Sequence, residues 1–352
     1  MKIVTIIGAR PQFIKASSLS REIAKHPNIS EIIVHTGQHF DANMSEVFSI
    51  EMELPKPDYN LAINSLGHGA MTGRMMEEIE KVLLKEKPDW LVVYGDTNST
   101  LAGALAAKKL HIKIAHIEAG LRSYNIKMPE EVNRILTDRI SEVLFCPTQQ
   151  AIDNLENEGY KNLDCTIVNV GDIMYESALF YSENSEKSLP NIPGKFILAT
   201  MHRAENTDNV QKLRNIFTAL DVIHNKFPVV LPLHPRTKKL LKTHNISTNI
   251  HLIEPMGYLE MIQLIKKSKA VITDSGGLQK ESYFFKKQCF TLRDQTEWVE
   301  LVTSGCNQLI DVLKDDIADI VLKDIDKELD FSKKMYGDGK TSERIIQFLK
   351  NY

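Results

Sequence analysis

"VTIIGARPQFIK" (residues 4–15) is the stretch from which the fold is read. A short apolar, β-rich run ends in Gly8, and Pro11 fits the first position of a helix, where its missing N–H costs nothing. Strand, glycine and helix in that order open a nucleotide-binding domain, yet the dinucleotide fingerprint G-x-G-x-x-G is absent. Arg10 and Lys15 add full charges to the first turns of that helix, where free N–H groups already attract anions. The plainer alternative is a snorkelling Arg10 and a solvated Lys15.

The same pattern continues along the chain. "EIIVHT", "DWLVVY", "KIAHIE", "EVLFCP" and "CTIVNV" are followed by "FILATM", "VVLPLH", "IHLIEP", "AVITDS" and "QCFTLR", each separated by a helical pattern. Short buried strands alternating with helices predict parallel sheets of βαβ units. A chain of 352 residues exceeds the usual domain of about 100–200 residues. The polar segment "YSENSEKSLPNIPGK" (181–195), with Pro190 and Pro193, parts the two series. The expected organisation is two doubly wound Rossmann-like α/β domains, 1–180 and 181–340.

Composition narrows the function classes. Hydrophobic residues make up 43% and charged residues 25%, which is ordinary for a globular protein, and the net charge of −3 gives no general attraction to nucleic acid or an anionic membrane. The run "IVTII" after Met1-Lys2 is far too short for a signal core or a membrane span, so a cytoplasmic location is expected. Cys146, Cys165, Cys289 and Cys306 are widely spaced without a C-x-x-C pair and are read as buried free thiols. His35 and His39 are four apart but fall in a strand and turn, so no zinc pair is expected. "GDTNSTLAGALAA" lacks the P-loop pattern. The helical pattern "MTGRMMEEIEKVLL" is read either as packing on its own sheet or as a dimer face, and a homodimer is the expected state.

In open parallel sheets ligands bind beyond the carboxyl ends of the strands, so the residues just after each apolar run carry the functional signal. In "TDSGGLQKE", Ser275, Gly276 and Gly277 would open a helix whose N–H groups cradle a phosphate, with Glu281 one turn on for ribose hydroxyls. An ordinary N-cap at Asp274 or Ser275 is the alternative. "MHRAEN" puts His202 and Arg203 at another strand end, where histidine can donate to a phosphate or act as an acid. The first half gathers Asp96, Glu118, Glu130 and Glu131, with Glu130 and Arg134 spaced i, i+4 for an ion pair on one helix face. Crowded carboxylates beside cations suit proton abstraction, because their pKa values are pushed apart.

Together, "GARPQFIK", "GDTNSTLAGALAA", "HIEAGLRS", "PEEVNRILTD", "HRAEN", "TDSGGLQKE" and "LRDQTE" resemble the non-hydrolysing UDP-N-acetylglucosamine 2-epimerases over nearly the whole chain. The resemblance implies a GT-B architecture with the active site in the cleft between the domains and a final helix, within 341–352, crossing back to the first domain. It implies anti elimination of UDP across C1–C2 to a 2-acetamidoglucal and re-addition, without metal or cofactor, in supply of surface polysaccharide precursors. By position it implies Asp96, Glu118 and Glu130 as the acid/base carboxylates. Arg10, Lys15, Arg134, His202 and Ser275 to Gly277 become phosphate and positioning groups, and Glu281 binds ribose.

Three departures bear on substrate and regulation. The family's "TER-P-E" reads "TEWVE" here, with Trp298 in the arginine position, and the uracil-side "PQ" reads Pro255-Met256. The first variant resembles the branch acting on UDP-2,3-diacetamido-2,3-dideoxyglucuronic acid, the alternative substrate. "GQHFDANMSEVF" departs from the "AQHR" pattern of enzymes activated by a second UDP-N-acetylglucosamine. A hydrolysing epimerase, a GT-B glycosyltransferase and a silent UDP-sugar-binding protein remain as competing expectations.

Overall fold

The computed structural model describes residues 1–38, 51–184 and 189–352. His39 and most of the "GQHFDANMSEVF" segment lie outside the described residues, as does the middle of the expected boundary at 185–188.

The chain divides into two compact units, Met1–Ser177 with Met335–Tyr352, and Ala178–Lys334. In the first, seven parallel strands lie in the order β3-β2-β1-β4-β5-β6-β7, comprising β1 (Lys2–Ile7), β2 (Ser30–His35), β3 (Tyr59–Asn60), β4 (Trp90–Tyr94), β5 (Lys113–Ile117), β6 (Val143–Cys146) and β7 (Thr166–Asn169). The second has six, in the order β10-β9-β8-β11-β12-β13, comprising β8 (Ile197–Thr200), β9 (Val229–Pro232), β10 (His251–Ile253), β11 (Ala270–Thr273), β12 (Gln288–Thr291) and β13 (Asn307–Leu309). Both follow the doubly wound order 3-2-1-4-5-6, whose direction reverses beside the first strand of each unit. Two such units in one chain make the GT-B type of α/β fold.

The apolar strand runs are continuous because helices cover both sheet faces. Ile3 and Ile7 of β1 join a core with Trp90, Val92, Ile117 and the C-terminal helix residues Ile345, Ile346 and Leu349. Val4 and Ile6, on the opposite face, join Leu91, Val93, Ala102 and Ala104. The tail helix Thr341–Asn351 thus completes the first unit's core. In the second unit Ile197, Val229, Ala270 and Ile272 face one layer, and Leu198, Val230 and Val271 the other.

The helix His68–Glu86 spends Met75, Ile79, Val82 and Leu83 on its own unit's core, which is the packing reading of "MTGRMMEEIEKVLL". All four cysteines are free thiols; Cys146, Cys289 and Cys306 are buried and Cys165 is half-buried. Among the described residues no helix is long and apolar enough to cross a membrane.

Candidate active site

Both units concentrate polar side chains where the strand order reverses. After β1, Gly8 is required by close approach: a Cβ there would overlap the Ser99 and Thr36 hydroxyls, which hydrogen-bond each other at 2.7 Å. The helix Arg10–Ile23 follows, with Pro11 in its first turn. Its third residue, Gln12, accepts from the Gly8 and Ala9 N–H groups at 2.8 and 3.0 Å and donates to the Tyr94 carbonyl at 2.8 Å. One buried amide therefore ties the end of β1 to the end of β4. Glutamine at this helical position is a known capping signal, and the sequence reading passed over it.

Lys15, one turn on, is not solvated. Its Nζ donates to Glu118 Oε1 at 2.6 Å, with the two side chains only 8% and 11% exposed. Glu118 follows β5 directly and adopts φ 69°, a left-handed conformation that costs a non-glycine residue about 1–3 kcal/mol and persists where surroundings over-determine it. Here the Glu118 and Ala119 N–H groups both donate to the Phe145 carbonyl at 3.1 Å. Gly95, at φ 60°, keeps the facing turn low; its Cβ would come within 3.3 Å of Lys15 Nζ and 3.4 Å of Glu118 Oε1.

Asp96 is the next residue of that turn. Its carboxylate pairs with Arg134 Nη2, and its carbonyl accepts from Asn133 Nδ2 at 2.9 Å. Arg134 Nη1 reaches Glu131 at 2.9 Å. Glu131 is drawn inward by the Ser123 and Tyr124 N–H groups at 2.8–3.1 Å and the Ser123 hydroxyl at 2.9 Å. Glu130 stays exposed on the first turn of helix Pro129–Ile140. The first unit thus brings Lys15, Glu118, Asp96 and Arg134 to neighbouring strand ends, with Arg10 and Glu130 at the starts of their helices.

In the second unit β8 and β11 are adjacent, and Thr200 and Thr273 at their ends share a 2.6 Å hydroxyl contact. Asp274 does not cap the helix after it. Fully buried, it accepts from the His202 and Arg203 N–H groups at 3.2 and 3.0 Å and from Asn206 Nδ2 at 3.2 Å. Its Oδ1 also lies 3.4 Å from His202 Nδ1, so Asp274 orients an imidazole that is 55% exposed. Ser275, at the N-cap of helix Gly276–Phe284, makes no side-chain capping bond, which leaves the first-turn N–H groups available to an anion. Gly276 admits the Glu297 carboxylate against the turn, where a Cβ would collide with it; Arg293 holds Glu297 at 3.1 Å. Glu281 is buried on the same helix.

Trp298 is 4% exposed, and Lys280 Nζ lies 4.1 Å from its ring centroid. The position where the resembling family carries arginine is therefore an apolar ring beneath a buried lysine.

The family model for UDP-N-acetylglucosamine 2-epimerase matches residues 21–350. The UDP-2,3-diacetamido-2,3-dideoxy-D-glucuronate 2-epimerase of Pseudomonas aeruginosa is 57% identical, over 99% of each chain. The UDP-N-acetylglucosamine 2-epimerase of Methanocaldococcus jannaschii is 44% identical, over 99% of each. A crystal structure of the UDP-GlcNAc 2-epimerase of that organism, in complex with UDP-GlcNAc and UDP, superposes with a TM-score of 0.89 at 43% identity over the whole of both chains.

Proposed function

From the premise that the chain belongs to the UDP-N-acetylglucosamine 2-epimerase family, we propose that it inverts C2 of a UDP-activated 2-acetamido sugar without hydrolysing it. A base removes the C2 proton while the C1–O bond to UDP breaks, giving a 2-acetamidoglucal and UDP. UDP oxygen then returns to C1 as a proton is delivered to the other face of C2. The C2–H is a weak acid, so the leaving pyrophosphate needs charge stabilisation as much as the proton needs a base.

The observation that carries this reading is the Lys15–Glu118 ion pair, at the end of the strand adjacent to the one followed by the Asp96–Arg134 pair. It supports Glu118 and Asp96 as acid/base groups, with Glu130 as the third carboxylate. Arg10, Lys15, Arg134 and His202 are assigned to the reacting end and its phosphates. The turn from Ser275 to Gly277 is assigned to the pyrophosphate, and Glu281 to the ribose.

The 57% identity to the diacetamido uronate enzyme, together with Trp298, favours UDP-2,3-diacetamido-2,3-dideoxy-D-glucuronate as the substrate. UDP-N-acetylglucosamine is the second reading, favoured by the family's description and by the ligands named for the M. jannaschii structure. Either substrate fits a cytoplasmic role in polysaccharide precursor supply, and a homodimer is the assembly state this reading carries, to be measured by sedimentation. Solvent deuterium incorporation at C2 of each UDP-sugar tests the function, and its loss in Glu118→Gln tests the assignment of that residue.

A further inference from the structure

His116 lies inside β5, two residues before Glu118, and is fully buried. Its Nδ1 is 2.7 Å from Asp138 Oδ1, and its Nε2 is 2.7 Å from the carbonyl of Gly95, the residue before Asp96. A carbonyl can only accept. Asp138 is itself ionised: burial alone would raise its carboxyl, but hydrogen bonds and charge from His116 and Arg122 more than offset this and hold it below the usual range. Arg122 donates to Asp138 Oδ2 at 2.6 Å and bridges to Glu158 at 2.7 and 2.8 Å, and the Gly120 N–H adds a bond at 3.2 Å. The ring thus bridges the Asp138 carboxylate and the Gly95 carbonyl, one at each nitrogen.

We propose that His116 is a positioning residue that clamps the Gly95–Asp96 turn to the end of β5 and so fixes the separation of Asp96 and Glu118. This rests on the acid/base role read above for those two carboxylates. The Gly95 backbone has no side chain to hold it and turns at φ 60°; its N–H donates to the Ile117 carbonyl at 2.9 Å, and the carbonyl bond from His116 adds a second tie to β5. Glu118 is anchored on its far side to Phe145 of β6, and the clamp therefore ties both carboxylates to the adjacent strands β4, β5 and β6.

The His116→Gln variant tests the proposal. In His116→Gln, kcat for C2 epimerisation should fall about 100-fold with KM and UDP affinity nearly unchanged, the cost of misplacing catalytic groups by an ångström. A folded variant with undiminished kcat overturns the proposal. Deuterium exchange by the wild type is the control for the functional reading: its absence overturns that reading, whereas wild-type exchange with an equally active variant overturns the His116 proposal alone.

Discussion

Lys15 Nζ and Glu118 Oε1 meet at 2.6 Å across the ends of the helix after β1 and of β5, both largely shielded from water. A shielded carboxylate held by one cation suits a proton-transfer group whose geometry is set before substrate arrives. Glu118→Gln should lower kcat by about 10²–10⁴ while leaving the fold and UDP affinity intact. Steady-state epimerisation rates and calorimetric UDP titration check both halves.

Gly8 and Gly73 should respond to alanine with opposite signs. At Gly8 the added methyl collides with the Ser99 and Thr36 hydroxyls, and about 1–3 kcal/mol of stability should be lost. Gly73 lies in helix His68–Glu86 with nothing within 4 Å of its Cβ direction, so alanine should add about 0.5–1 kcal/mol. Urea unfolding of the two variants measures the contrast.

These two glycines also show what the sequence exposes and what it hides. The parallel strands were legible because both faces of each are buried, and the strand-end clusters were legible because doubly wound sheets place ligands there. Gly8 was read as a turn residue, but its need comes from Ser99 and Thr36, which only the folded chain brings near. Helix spacing sets Glu130 four residues from Arg134, but that spacing does not announce Glu131, which meets Arg134 while held by the Ser123 and Tyr124 N–H groups just before the helix. An N-cap at Asp274 is open as an alternative from sequence because its partners, the His202 and Arg203 N–H groups, lie some seventy residues earlier in the chain. Local rules find elements and strand ends, and long-range hydrogen bonds decide which side chain occupies each place.

Acid should probe the buried Asp138. Its native carboxyl sits below the ordinary aspartate value of 3.8, so the folded state gives up this proton more readily than the unfolded chain. The stabilisation is therefore present above 3.8 and is lost as pH falls through the lower native value. Thermal melts at descending pH should show this acid limb in the wild type and a shallower one in Asp138→Asn, which starts from a lower melting temperature at neutral pH. An unchanged acid limb contradicts the assignment.

Restoring arginine at position 298 should not be benign. Trp298→Arg sets a second cation against Lys280, whose ammonium now lies 4.1 Å from the ring centroid, and about 1–3 kcal/mol of stability should be lost. Adding Lys280→Glu should recover most of it by converting repulsion into an ion pair. Chemical denaturation of the single and double variants reads the coupling, and additive losses would show that the two positions are independent.

The measurement that bears most directly on the central claim is proton and phosphorus NMR of the purified protein in D2O, run in parallel with UDP-2,3-diacetamido-2,3-dideoxy-D-glucuronate and UDP-N-acetylglucosamine. The account predicts deuterium at C2 and the C2-inverted UDP-sugar, with the uronate nucleotide the faster of the two and no net release of free sugar. Accumulation of free sugar and UDP would make the enzyme a hydrolase, and the absence of exchange with both nucleotides would contradict the epimerase account altogether.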